Sequence, residues 1–230
     1  MNKPALSVII PCYNSEKYIR ATLESIFVQQ TAIYEIIVID DASTDNTPAI
    51  LKSFPQIRYY QQQNQGPSVA RNYGLQLAQS DLICFLDHDD VLAANKFEIQ
   101  LRFLAQNPDV DIVMGKSKYF KDDDLNDPAH ESHFSVLLGA CIFRKAVFTK
   151  VGLFEADNWY CQDFDWFLKA FEKNIPIIRH DDLMFYHRLH ETNLSNRRPQ
   201  ARLDILKMLK QSIDRRKELE NSFVYPALNG

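Results

Sequence analysis

No two of the four cysteines, Cys12, Cys84, Cys141 and Cys161, stand in a C-x-x-C arrangement. That absence removes a thiolate zinc site and argues against a disulfide framework, so they are expected as small, mostly buried thiols in a reducing cytoplasm. No apolar stretch approaches the roughly 18 residues of a membrane span. The short apolar run near the N-terminus meets Pro11 before it could serve as a signal segment, and no export is expected. Positive charge is not in excess either: the formal charge of −4 argues against a nucleic-acid binder, which would carry a basic field. Internal repeats and low-complexity segments are also missing. What remains is an ordinary globular composition, 46% hydrophobic and 24% charged over 230 residues, enough to bury a core without a metal or a disulfide.

The first half alternates strand and helix signals. Leu6 to Ile10 predicts a buried strand stopped by Pro11, and Asn14-Ser15 precede a helical spacing of Ile19, Leu23, Ile26 and Phe27. Ile36 to Ile39 predicts a second strand, followed by Asp45-Asn46-Thr47 as the cap of a helix with Pro48 in its first turn. A short strand at Arg58 to Tyr60, a helix from Pro67 to Ala78 and a strand from Leu82 to Leu86 follow. Continuous apolar strands separated by helices predict a parallel sheet covered on both faces, with ligands bound beyond the carboxyl ends of the strands. Tyr13-Asn14, Asp40-Asp41 and Asp87-His88-Asp89 stand at three such ends, so their shared crevice is the candidate site. The second half is less regular. It predicts a helix through Phe97, Leu101 and Leu104, a strand from Val110 to Met114, an acidic loop at Lys121 to Pro128 and a strand near Leu137 to Phe143. A helix from Asp163 to Lys173 should bury Phe164, Phe167, Leu168 and Phe171, and a C-terminal surface helix is marked by Leu203, Leu206, Leu209 and Ile213.

The chemistry concentrates in Asp87-His88-Asp89-Asp90. If the strand continues, Asp87 and Asp89 share one side and His88 takes the other. Two carboxylates roughly 5 Å apart repel by about 3 kcal/mol at an effective dielectric near 20, and a divalent cation reverses the sign. Oxygen ligands of this kind suit Mg2+ or Mn2+ with substrate phosphates completing the shell; a solvated turn is the plainer reading of a bare D-x-D. Asp40 and Asp41 could accept a ring N–H of a nucleobase, although Ser43, Thr44 and Asp45 are explained by helix capping alone. Tyr13 offers a ring on which a base can stack. Arg71 could hold a phosphate bidentately or serve as a surface ion-pair partner. At a helix N-terminus, Asp163 would be stabilised as an anion and its pKa lowered. His180, His187, His130 and His133 are expected as surface histidines.

Four segments stand in the order and approximate spacing of the family 2 glycosyltransferases: Ser7 to Asn14, Val38 to Asp45, Gly66 to Asn72 and Phe85 to Asp90. The resemblance is dense over about the first hundred residues and returns at Trp159 to Asp165 and at Arg188 to Ser195. It implies the GT-A fold, an α/β Rossmann-like, mainly parallel sheet flanked by helices, and transfer of a sugar from a nucleoside-diphosphate sugar. It further implies that Pro11, Tyr13, Asp40 and Asp41 contact base and ribose, and that Arg71 lies on the pyrophosphate side. Asp87 would reach ribose or sugar, Asp89 would bind Mn2+ or Mg2+ with His190 as a further contact, and Asp163 would act as general base of an inverting transfer. Gln162 stands where the family carries glutamate, which puts an acceptor contact in doubt.

One domain spanning 1–230 is expected, with about 1–105 binding the nucleotide sugar, about 106–200 forming the acceptor side and about 201–220 a C-terminal helix. The acceptor would be a saccharide or lipid-linked hydroxyl, and the location cytoplasmic, with peripheral membrane contact through that helix as an option. Two alternatives share the sheet: a sugar-phosphate nucleotidyltransferase, which would need a glycine-rich loop where Pro11 to Ser15 has no glycine, and a catalytically silent nucleotide-sugar binding module.

Overall fold

The computed structural model describes residues 6–30, 33–121, 123–126, 130–191, 193 and 198–222, with side chains in the last segment from 202 to 217. The first half runs β1 (Leu6–Cys12), α1 (Ile19–Phe27), β2 (Glu35–Asp40), α2 (Thr47–Lys52), β3 (Arg58–Gln61), α3 (Pro67–Leu77) and β4 (Leu82–Phe85). The second runs β5 (Val91–Leu92), α4 (Lys96–Gln106), β6 (Ile112–Phe120), β7 (Cys141–Arg144), α5 (Val147–Val151), α6 (Gln162–Glu172), β8 (Ile177–Arg188) and α7 (Arg198–Ser222). One eight-stranded sheet has the order β3-β2-β1-β4-β7-β6-β8-β5. Strands β3, β2, β1 and β4 are mutually parallel, β7 turns antiparallel to β4 and β6, and β8 lies parallel to β6.

Period-two alternation divides the core between the sheet's faces. Val8, Ile10, Val38 and Cys84 pack with Leu23, Leu51, Phe97 and Leu101 on one side. Ile9, Ile37, Ile39 and Phe85 pack with Ala70, Phe143, Phe148, Phe154 and Trp166 on the other. Phe85 meets Phe143, Phe148 and Phe154 edge-on at centroid distances of 5.4 to 5.9 Å. On the same side α3 lies so close to β1 that a Cβ on Gly74 would fall 2.3 Å from Ile9 Cγ2. That approach presses Arg71, one turn earlier in the helix, against the core.

Several sequence expectations are corrected. Pro11 does not stop β1. Pairing with β4 ends at Ile9, so a residue without an N–H costs no ladder bond on that side. Asn14 and Ser15 do not cap α1, which starts at Ile19; Asn14 instead accepts from the Thr44 N–H at 2.8 Å and donates its own N–H to the Ser43 hydroxyl at 2.9 Å. The strand near Leu137 begins as a 3-10 turn at Leu138–Ala140. Helix α6 buries Asp165, Trp166, Phe167 and Ala170, whereas Phe164 and Phe171 are about half exposed, at 48% and 52%. Helix α7 turns Met208 and Ser212 inward and leaves Leu203, Leu206, Leu209 and Ile213 exposed. His180 is buried and stacked on Phe103, not on the surface. Among the described residues no helix is long and apolar enough to cross a membrane.

Candidate active site

The residues after β4 form a turn rather than a continued strand, closed by the Asp90 N–H on the Asp87 carbonyl at 3.2 Å. Alternation therefore does not aim Asp87 and Asp89; their partners do. The Thr22 hydroxyl, from α1, lies 2.8 Å from the His88 carbonyl and 2.9 Å from that of Asp90, clamping the turn from below.

Asp87 accepts from Arg71 at 2.6 Å. The guanidinium is 3% exposed, donates to Gln162 Oε1 at 2.6 Å, and lies 3.9 Å from Asp163 Oδ1. Arg71 thus ties the turn after β4 to the first turn of α6. Gln162 completes the link, donating to the Trp159 carbonyl, while the Trp159 ring covers Gly66 at the start of α3. Asp163 Oδ2 accepts the Leu138 backbone N–H at 2.9 Å. Burial raises the Asp163 pKa and Asp87 adds to the rise, against the pull of Arg71, so the lowering expected from the helix end is overturned.

Asp89 meets His190 Nε2 at 2.8 Å. The segment Arg188 to Asn193 is built to present that imidazole. Arg188 Nε donates to the Asp89 carbonyl at 2.7 Å, and Asn193 accepts the His190 N–H at 2.6 Å while donating to the Arg188 carbonyl at 3.0 Å. Thr192, Leu194 and Ser195 of the same segment lie outside the described residues, as do Asp122, Asp127 and Pro128 of the acidic loop. Burial opposes charge on Asp89, yet the imidazoles of His88, His190 and His187 outweigh it and hold the carboxyl below its ordinary value. His88 therefore takes part in the electrostatics that its expected orientation denied it.

Two supporting residues were given no role by the sequence. Asp90 is buried, accepting the Arg188 N–H at 2.8 Å and facing His187 Nδ1 at 3.2 Å. Burial raises Asp90 to about 6, and against the effect of its own burial His187 is raised to about 9 by Asp90. Asp90 was in view as the last acid of the motif; His187 was dismissed as a surface residue.

On the far side of the crevice Tyr13 is 44% exposed at the end of β1, and Pro11 is buried in the strand behind it. Asp40 and Asp41 are buried and fully engaged. Asp40 accepts the Ser43 N–H and the Tyr59 hydroxyl, at 2.9 and 2.8 Å. Asp41 accepts the N–H groups of Gln65 and Gly66 and the Gln62 amide, at 2.7 to 2.9 Å. The two acids therefore shape the loops that follow β2 and β3.

Among the described residues no three carboxylate, imidazole or thiol groups converge to enclose a metal ion by themselves. Asp89 offers a carboxylate oxygen of the kind that Mn2+ or Mg2+ takes beside a diphosphate, whereas His190 Nε2 donates its proton to that carboxylate and is a ligand only once deprotonated and released from it. Asp87 is committed to Arg71 instead.

The profile of Glycosyl transferase family 2 matches residues 7–174. An uncharacterized glycosyltransferase of Haemophilus influenzae is 42% identical over 112 residues, covering 46% of this chain and 45% of that protein. A second, from Rickettsia conorii, is 34% identical over 142 residues, 60% of this chain but only 23% of the relative. Among solved structures, residues 1–349 of S. aureus TarS in complex with UDP-GlcNAc superimpose with a TM-score of 0.71 and 25% identity, over 84% of this chain and 61% of that one. The chain thus spans less than two thirds of each of these proteins, from 23% to 61%.

Proposed function

The chain belongs to glycosyl transferase family 2, and from that premise we propose that it moves a sugar from a UDP-linked donor to the hydroxyl of a saccharide or lipid-linked acceptor. The observation that carries this reading is the Arg71 bridge, which gathers Asp87, Gln162 and Asp163 at one crevice beside the Asp89–His190 pair. The UDP-GlcNAc complex of TarS supports the choice of donor class.

In this proposal Tyr13 stacks the base, and Asp40 and Asp41 fix the loops that line its pocket with Pro11 behind them. Arg71 and Asp87 orient the diphosphate and sugar. Asp89 and His190 would hold Mn2+ or Mg2+, whose chemistry is to neutralise charge on a departing diphosphate. Asp163 accepts the acceptor hydroxyl's proton as that oxygen bonds to the anomeric carbon and the bond to the diphosphate breaks. The raised pKa makes Asp163 a stronger base than an ordinary carboxylate. A single displacement of this kind inverts the configuration.

The test is a panel of UDP-sugars with Mn2+, read as UDP release, with and without EDTA. Release that EDTA abolishes is the expected result. Donor binding without release would reduce the protein to a binding module, and no affinity for any nucleoside diphosphate would overturn the reading.

A further inference from the structure

Helix α7 carries its charge in an order that its role as a cover for α6 does not need. Its inner side is anchored by Met208 and by Ser212 and Arg215 on Glu172, the last pair at 2.7 Å. Of the two acids among its described side chains, Asp204 is half-buried and lines the crevice between α7 and the body of the protein, whereas Asp214 is exposed, one turn from both Lys210 and Lys217. The outer side holds Leu206, Leu209 and Ile213, which are 64%, 43% and 45% exposed. Helical spacing sets Arg202, Lys210 and Lys217, all exposed, along and beside that apolar stripe. Over the whole of α7, 198–222, there are seven basic residues against four acidic ones, in a chain whose net charge is −4.

We infer that the outer face of α7 docks on an anionic lipid surface. Leucine and isoleucine side chains would enter the acyl boundary while the lysine and arginine stems reach up to the headgroups. Charge decides the occupant. A second copy of the same face would set basic residues against basic residues, whereas a negative leaflet neutralises them. The inference stands on the helix alone. Only its use, holding the crevice near a membrane-borne acceptor, rests on the transfer reaction proposed above.

The experiment is co-sedimentation of the full chain, without nucleotide, on vesicles of phosphatidylcholine alone or mixed with phosphatidylglycerol. Binding to the mixed vesicles, weakened by salt and weak on the neutral ones, is the expected result. Each basic residue near such a surface contributes about fivefold to partitioning, so Arg202→Ala, Lys210→Ala and Lys217→Ala combined should lower it about a hundredfold. Leu206→Ser with Ile213→Ser should lower it as well. Unchanged circular dichroism and UDP affinity in both variants would show an intact fold, and the salt dependence of the unmodified chain gives a reading independent of any variant. Absence of binding to the mixed vesicles overturns the inference. So does binding that the charge variant leaves unchanged, or a concentration-dependent dimer that the Leu206→Ser, Ile213→Ser variant dissolves while vesicles recruit nothing.

Discussion

Replacing Asp163 by asparagine separates chemistry from folding, because the two should move in opposite directions. The substitution keeps the shape of the side chain and leaves a carbonyl oxygen to accept the Leu138 N–H now bound at 2.9 Å. It removes the negative charge, which Arg71 attracts from 3.9 Å. At an effective dielectric near 20 that attraction amounts to about 4 kcal/mol for two isolated charges. Arg71 is already paired with Asp87 at 2.6 Å, however, and burial outweighs it, since the Asp163 pKa is raised. For a carboxyl with a raised folded pKa, the native state holds the proton more tightly than the unfolded chain. Stability then falls as pH rises from the unfolded value of about 3.9 through the folded one, and the penalty is complete above it. Asp163→Asn should therefore be at least as stable as the unmodified protein near pH 7, and should lose its advantage in acid. Transfer should fall by about 10²- to 10⁴-fold, the usual contribution of a general base, with UDP affinity unchanged. Rates of UDP release, titration calorimetry and urea melts at two pH values measure all three. A variant that keeps transfer within tenfold removes Asp163 as the base, and one that melts sooner at neutral pH refutes the burial argument.

Gly66 has φ of +86°, and a Cβ there would sit 2.9 Å from Trp159 Cε2, so Gly66→Ala should cost about 1–3 kcal/mol in a urea melt; an unchanged midpoint would show that the loop and the indole simply move aside. Lys96 is buried, donating to Gln100 at 2.6 Å and to the Cys141 carbonyl at 3.3 Å, and burial lowers its pKa. The unfolded chain then binds that proton more tightly, and stability should rise with pH up to the unfolded value of about 10.4. Lys96→Met should lack this rise in the alkaline range below that value; parallel pH profiles for the two proteins would contradict it.

The sheet's centre was legible because β1, β2 and β4 are unbroken apolar runs buried on both faces. Strand β8 was not, since Arg179-His180-Asp181-Asp182 interrupts it and only part of its length is buried. In α6 the pattern of phenylalanines pointed to the wrong side. Asp165, pairing with Lys169 at 2.9 Å, occupies the buried face beside Trp166, and a buried ion pair reads as surface in any hydrophobic pattern. The candidate site residues were singled out by motif, but their geometry could not be. Strand alternation was the wrong device for Asp87 and Asp89, whose positions come from Arg71 and His190, 16 and 101 residues away in the chain. A separation of 97 residues likewise hid His187 from Asp90.

The anchoring of Asp163 by the main chain at Leu138 bears on how such a protein can diverge. A peptide N–H is supplied by every residue type except proline, so the contact asks nothing of the side chain at 138, and drift there is limited only by the core in which Leu138 is packed at 2% exposure. The carboxylate keeps its alignment through that drift. On the proposed role of Asp163 as the base, its alignment therefore survives any residue at 138 that the core can pack, and proline there would remove it in one step.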